Sequence, residues 1–122
     1  MQNAGLLEKL STILNTIELC SPQQKKLFEQ FIDRQLELSQ VFISKQLDYG
    51  PDNIAKFGEI GTIIRMNDKF ERLLNLVFAN KEAKNEAIED TYDDISVYAI
   101  IARLCRTNNW PGVRRFALSK VE

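Results

Sequence analysis

Five carboxylates, Glu86, Glu89, Asp90, Asp93 and Asp94, fall within nine positions of the segment NEAIEDTYDDISVYAIIARLC, residues 85–105. Glu86, Asp90 and Asp94 recur at i, i+4 and i+8, which on a helix lines them along one side with Asp93 beside them. That side continues as Val97, Ile101 and Leu104. The opposite side, Ile88, Tyr92, Ile95, Ala99 and Ala102, is apolar as well, so the acids lead towards an interior. Two readings are open. Acids at a helix N-terminus are favoured by the macrodipole by ~0.3–1 kcal/mol each and would then simply face water. Carboxylates at i and i+4, however, repel by ~0.2–0.5 kcal/mol per pair, so a row of them attracts a cation. Mg²⁺ suits such a row because it takes oxygen ligands and often uses one or two carboxylates together with phosphate.

A second polar pattern supplies the complement. In RMNDKFERL, Arg65, Asp68 and Arg72 fall at i, i+3 and i+7, with Lys69 adjacent. The candidate metal ligands are therefore Asp68, Glu86, Asp90 and Asp94, with Asp93 and Asp94 as candidate general bases. Arg65, Lys69 and Arg72 would meet phosphates or brace the acids. The plainer alternative is an intrahelical salt-bridge ladder, worth ~0.2–0.5 kcal/mol per pair. In the turn DYGPDN, residues 48–53, Asp48 and Tyr49 precede a glycine that allows close backbone approach. The Tyr49 ring could stack on a base, or simply pack over a helix end. Tyr98, one turn beyond Asp94, could border the acidic site or sit in the core. Trp110 is expected to pack.

Composition limits the chemistry further. The chain has no histidine, which removes histidine triads, histidine bases and histidine-ligated zinc. Its formal net charge is −1, so no global attraction to nucleic acid is expected and no direct nucleic-acid binding. No apolar run reaches the length of a membrane span, and the start, MQNAGLLEKL, lacks the features of a secretory signal. A cytoplasmic protein, without membrane contact, is expected. Cys20 and Cys105 lie apart in apolar helical contexts and read as two reduced core thiols.

The elements that must position these residues are helical throughout. Leu6, Leu7, Leu10, Ile13, Leu14 and Ile17 predict a first helix over about residues 3–19. Ser21-Pro22-Gln23-Gln24 predicts a helix start with a capping box, and a long second helix to about Leu47. Leu27, Phe28, Phe31, Ile32, Leu38, Val41 and Phe42 should face inward on it. After DYGPDN, a third helix is predicted from about Gly58 to Ala79, and a fourth from a cap at Asn85 to Thr107-Asn108-Asn109. WPGVRRFALSKVE could add a short helix. The expectation is one all-α domain over 1–122, a bundle of four main helices with a short C-terminal extension and a basic tail over 107–122.

KQLDYG, FGEIGTIIRMNDKFERLLNL and NEAIEDTYDDISVYAI, taken in that order, resemble the phage-associated family called nucleotide modification associated domain 1. The resemblance lies in Asp48-Tyr49-Gly50, in Arg65, Asp68, Lys69 and Arg72, and in Glu86, Asp90, Asp94 and Tyr98, and covers about residues 45–101. That family is in turn similar to the MazG-type all-α nucleotide pyrophosphohydrolases. The resemblance implies a helical homo-oligomer, a nucleotide-facing site between the third and fourth helices, and Mg²⁺ held by acids of two helices. It also implies cleavage of a nucleoside triphosphate to a monophosphate and pyrophosphate. The chain departs from the ExxE pattern of those enzymes: Glu59-Ile60-Gly61-Thr62 has threonine where the second glutamate would stand. The leading expectation is a nucleotide-binding protein with a Mg²⁺-linked acidic site that could hydrolyse its ligand. The alternative is a non-catalytic protein that sequesters a nucleotide or cyclic-nucleotide immune signal. A helical interaction module without a ligand is a third.

Overall fold

The computed structural model describes residues 3–111 of the 122. They form four α-helices, α1 (Ala4–Glu18), α2 (Pro22–Tyr49), α3 (Gly58–Leu73) and α4 (Ile88–Arg106), with a π-helical turn, Leu74–Phe78, continuing α3. No strand occurs among the described residues, so the all-α, four-helix class expected from the apolar spacing is the one observed. The short helix expected in the tail lies, from residue 112 onward, outside the described residues.

The chain divides into two compact units, residues 1–40 and 41–122, with the boundary inside α2. In the first unit the junction of α1 and α2 is fixed by the capping box. Gln24 Oε1 accepts from the Ser21 amide at 3.1 Å, and the Gln24 amide donates to Ser21 Oγ at 3.3 Å. Ile17 is buried, but α2 contributes no buried residue over its whole length. Leu27 and Phe31 are 60% and 64% exposed. The inward-facing positions expected on α2 are corrected accordingly for Leu27, Phe28, Phe31 and Val41, all of them exposed. Apolar spacing shows that a helix face wants cover; it does not show that the same chain provides it.

The second unit is built on α3 and α4, which run antiparallel. Arg72, at the end of α3, reaches Thr91 near the start of α4, while Arg106, at the end of α4, reaches Glu59 at 3.0 Å near the start of α3. Its core joins Ala55, Ile101, Cys105 and Trp110, with Phe42, Ile54, Val97, Tyr98 and Leu104 packed against them. Trp110 stands edge-on to Phe42, with ring centroids 5.9 Å apart, and donates from Nε1 to the Pro51 carbonyl at 3.0 Å. This ties the turn after α2 to the segment after α4. Gly50 makes that turn possible with a φ of 75°, in the left-handed region that glycine enters without steric cost.

The π-helical turn that continues α3, and α4 itself, are each closed at the C-terminal end by an asparagine. Asn80 and Asn108 take φ values of 51° and 60°. The following amides, Lys81 and Asn109, each donate at 2.8 Å to carbonyls five residues back, Leu76 and Leu104. These are Schellman closures with asparagine in place of glycine. The start of α4 differs from expectation. The helix begins at Ile88 with Ala87 in the cap position and no side-chain cap, instead of at Asn85. The Glu86 carbonyl is taken by the Arg72 guanidinium, which pins the segment before it can turn into the helix.

Gly61 lies inside α3, where alanine would ordinarily gain about 1 kcal/mol of helix propensity. A Cβ there, however, would stand 2.7 Å from the Cβ of Phe57. That atom is fixed to the backbone and cannot swing aside. Gly61→Ala is therefore expected to lower stability by about 1–3 kcal/mol, read from the midpoint of urea unfolding; a rise in midpoint would show that the helix start shifts at little cost.

Candidate functional site

The polar seam between α3 and α4 centres on Lys69. Its ammonium lies 2.8 Å from Asp94 Oδ2 and 3.7 Å from Glu86 Oε2, with the Lys69 and Asp94 side chains 22% and 24% exposed. Asp94 lies on α4 and Glu86 in the segment just before it, and one lysine from the facing helix reaches both. The hydrogen bond to Asp94 is the main cause holding the Lys69 ammonium above its ordinary value of 10.5. The charges of Asp94, Glu86 and Tyr98 add to it, and burial opposes them. One turn along α3, Arg72 donates to the Thr91 hydroxyl and to the Glu86 carbonyl. Thr91 is fully buried, which fixes the hydroxyl that receives the guanidinium.

The remaining predicted residues are not gathered here. Arg65 turns back to the Asn53 carbonyl at 3.4 Å. Asp68 and Asp90 are exposed on α3 and α4, and Asp93 is half-buried on α4. Asp48 and Tyr49 end α2, with Tyr49 65% exposed, and neither makes a side-chain hydrogen bond or ion pair among the described residues. Tyr98 packs on the core cluster. Cys105 lies in that cluster, and Cys20 is half-buried at the end of α1.

The fit of Mg²⁺ can be tested on these positions. Asp68, Glu86, Asp90 and Asp94 do not converge: among the described residues no three carboxylate or thiolate ligands are grouped to hold a metal ion. Where the acids do approach one another, the positive charge between Glu86 and Asp94 is the Lys69 ammonium. The ExxE departure has a structural reason as well. Thr62 is fully buried and its hydroxyl donates to the Gly58 carbonyl at 2.9 Å, so a glutamate there would bury an unpaired charge. The described carboxylates form no cage of three for a cation, and the one pair that does approach, Glu86 and Asp94, is engaged by the Lys69 ammonium.

A group of residues that sequence reasoning passed over lies at the end of the seam. A cleft of about 490 Å³ opens beside Arg72 and the π-helical turn and is lined by the loop that leads into α4. Its lysines, Lys81 and Lys84, belong to NKEAKN, which reads in sequence as a polar spacer; the pair of lysines was the only signal.

No protein-family profile matches the chain, and no solved structure matches it. A stretch of 62 residues is 40% identical to part of a DNA topoisomerase 4 subunit of Synechocystis sp., covering 50% of this chain and 7% of that protein. The matching half of the chain thus spans only a small part of the length of that protein. No described helix is long and apolar enough to cross a membrane.

Proposed function

We propose that this chain binds a nucleotide or cyclic nucleotide and holds it without cleaving it, as a cytoplasmic homo-oligomer. The single observation that carries the choice of holding over cleaving is the position of Lys69. Metal-assisted hydrolysis needs carboxylates available to a cation and an accurately placed water. Here Asp94 and Glu86 are engaged by an ammonium from the facing helix. The nucleotide part of the reading is supported by the three ordered motifs around Tyr49, Lys69 and Asp94, and by uncompensated positive charge at the end of the seam. The oligomer is supported by the uncovered apolar side chains of α2, a 28-residue helix with no buried residue. The segmental likeness to a topoisomerase spans too little of that protein for its activity to be carried over.

The test is incubation of the purified protein with deoxy-, ribo- and cyclic nucleotides, with and without Mg²⁺. The filtrate is chromatographed before and after heat denaturation, and the mass of the native particle is measured in the same sample. A nucleotide that leaves the filtrate and returns intact, with a particle mass that is a multiple of 14.1 kDa, is the expected result. A monophosphate peak that EDTA abolishes would replace this reading with the pyrophosphohydrolase. An unchanged filtrate would leave only the interaction module.

A further inference from the structure

Among the described residues Lys25, Arg34, Lys69 and Arg106 are each paired with a carboxylate, Glu18, Glu37, Asp94 with Glu86, and Glu59 respectively. Other cations, Lys45 and Arg65 among them, form no ion pair there, but they stand apart from one another; the cations of the cleft are unpaired and gathered in one place. Arg72 donates to a hydroxyl and a backbone carbonyl, both uncharged. The Lys81 ammonium donates to the Asn75 side-chain carbonyl at 3.1 Å, uncharged again. Lys84 forms no ion pair among the described residues. Three full positive charges thus line one cleft of about 490 Å³ against the single acid Glu82.

We infer that this cleft is a binding site for the phosphate groups of a small phosphorylated ligand, an inference that rests on the nucleotide reading above and gives that ligand its place. Three properties carry it. The volume lies in the range of small-molecule sites, ~300–1,000 Å³. Arg72 cannot be deprotonated, and its guanidinium is held in place by Thr91 and Glu86 before any ligand arrives, so little ordering entropy is lost on binding. Lys81 and Lys84 line the same cleft from a different element, the loop into α4, so two separate segments bring positive charge to it. Asn75 and Asn85 line the same cleft and offer both amide donors and carbonyl acceptors, and Leu76 offers an apolar surface. The site needs no metal cage, in keeping with Lys69 standing between the acids of the seam. A phosphate oxygen accepts hydrogen bonds from all three cations, and the charge it brings offsets their mutual repulsion.

The inference is tested by calorimetric titration of the whole protein with inorganic pyrophosphate, ATP and adenosine. The wild type is compared with Lys81→Gln/Lys84→Gln and with the distant control Lys45→Gln. All three lysines are exposed, so both variants keep the fold. Pyrophosphate and ATP should bind the wild type and Lys45→Gln alike, and adenosine far more weakly. The double variant should lose about 10- to 100-fold in affinity for both phosphates, the loss expected for removing charge-assisted hydrogen bonds. ATP binding that the double variant leaves unchanged, or adenosine binding equal to that of ATP, would overturn the cleft while leaving the nucleotide reading standing. Failure of every probe, together with an unchanged filtrate for the full nucleotide panel, would overturn both.

Discussion

Replacement of Trp110 by alanine is expected to lower stability by about 3–5 kcal/mol, the usual cost of truncating a buried aromatic. Three losses combine at this position. Trp110 is only 8% exposed and belongs to the small buried cluster of the second unit, so its removal leaves a cavity between Ile101 and Cys105 on α4 and Ala55 before α3. Its edge-on contact with Phe42 is lost, about 0.5–1.5 kcal/mol. Its indole N–H no longer reaches the Pro51 carbonyl, about 1 kcal/mol more, because that carbonyl is left without its donor. The net stability of a domain is about 5–15 kcal/mol, so the loss is a large share of the whole. Trp110→Phe separates these contributions: it keeps a ring against Phe42 but removes the donor, and about 1–2 kcal/mol should be lost. Urea unfolding followed by helical circular dichroism reads both values. An alanine variant within about 1 kcal/mol of wild type would mean that the turn after α2 is not anchored through this ring.

Much of this architecture is legible in the sequence because it rests on local signals. The Ser21–Gln24 box is complete within four residues, and Gly50-Pro51 ends a helix whatever surrounds it. What sequence spacing leaves undetermined is which partner each polar residue meets. Arg65, Lys69 and Arg72 are equivalent candidates for the acids of the next helix when read from spacing alone. The choice of Lys69 is made by the rotation and offset of α3 against α4, which depend on packing at Ile101 and Thr62 and not on the polar residues themselves. The start of α4 is hidden for the same reason, since Asn85 has the chemistry of a cap and a long-range bond from Arg72 to Glu86 overrides it. The π-helical turn leaves no trace either, because Leu74, Val77 and Phe78 fit an ordinary helical spacing. The cleft cations are hidden by context: lysines in a polar loop usually serve solubility, and only the fold brings Lys81 and Lys84 beside Arg72.

Lys69 decides between the two uses of the acid row, and its replacement has the second of the large expected effects. Lys69→Glu would set a third carboxylate beside Asp94 and Glu86 in a half-buried seam, where removing one partner of an ion pair leaves the other uncompensated. The expected loss is about 3 kcal/mol. Lys69→Met keeps most of the apolar stem and removes only the charge, for about 1–2 kcal/mol. The exchanged pair Lys69→Glu/Asp94→Lys should recover at least half of the loss of the single glutamate variant, since it restores opposite charges across the same gap. Alkaline titration gives an independent sign. The folded-state value of Lys69 lies above its ordinary 10.5, so its contribution is complete below that pH and is lost as pH rises through the folded value. Wild type should therefore lose stability over this window and Lys69→Met should not lose that part. A metal site predicts the reverse pattern. If the acids are kept for Mg²⁺, Lys69→Met would be neutral or stabilising, Mg²⁺ would raise the unfolding midpoint of the wild type, and the exchanged pair would abolish that rise. Stability without metal that falls in the order wild type, Lys69→Met, Lys69→Glu would establish that the acids facing Lys69 anchor α3 against α4.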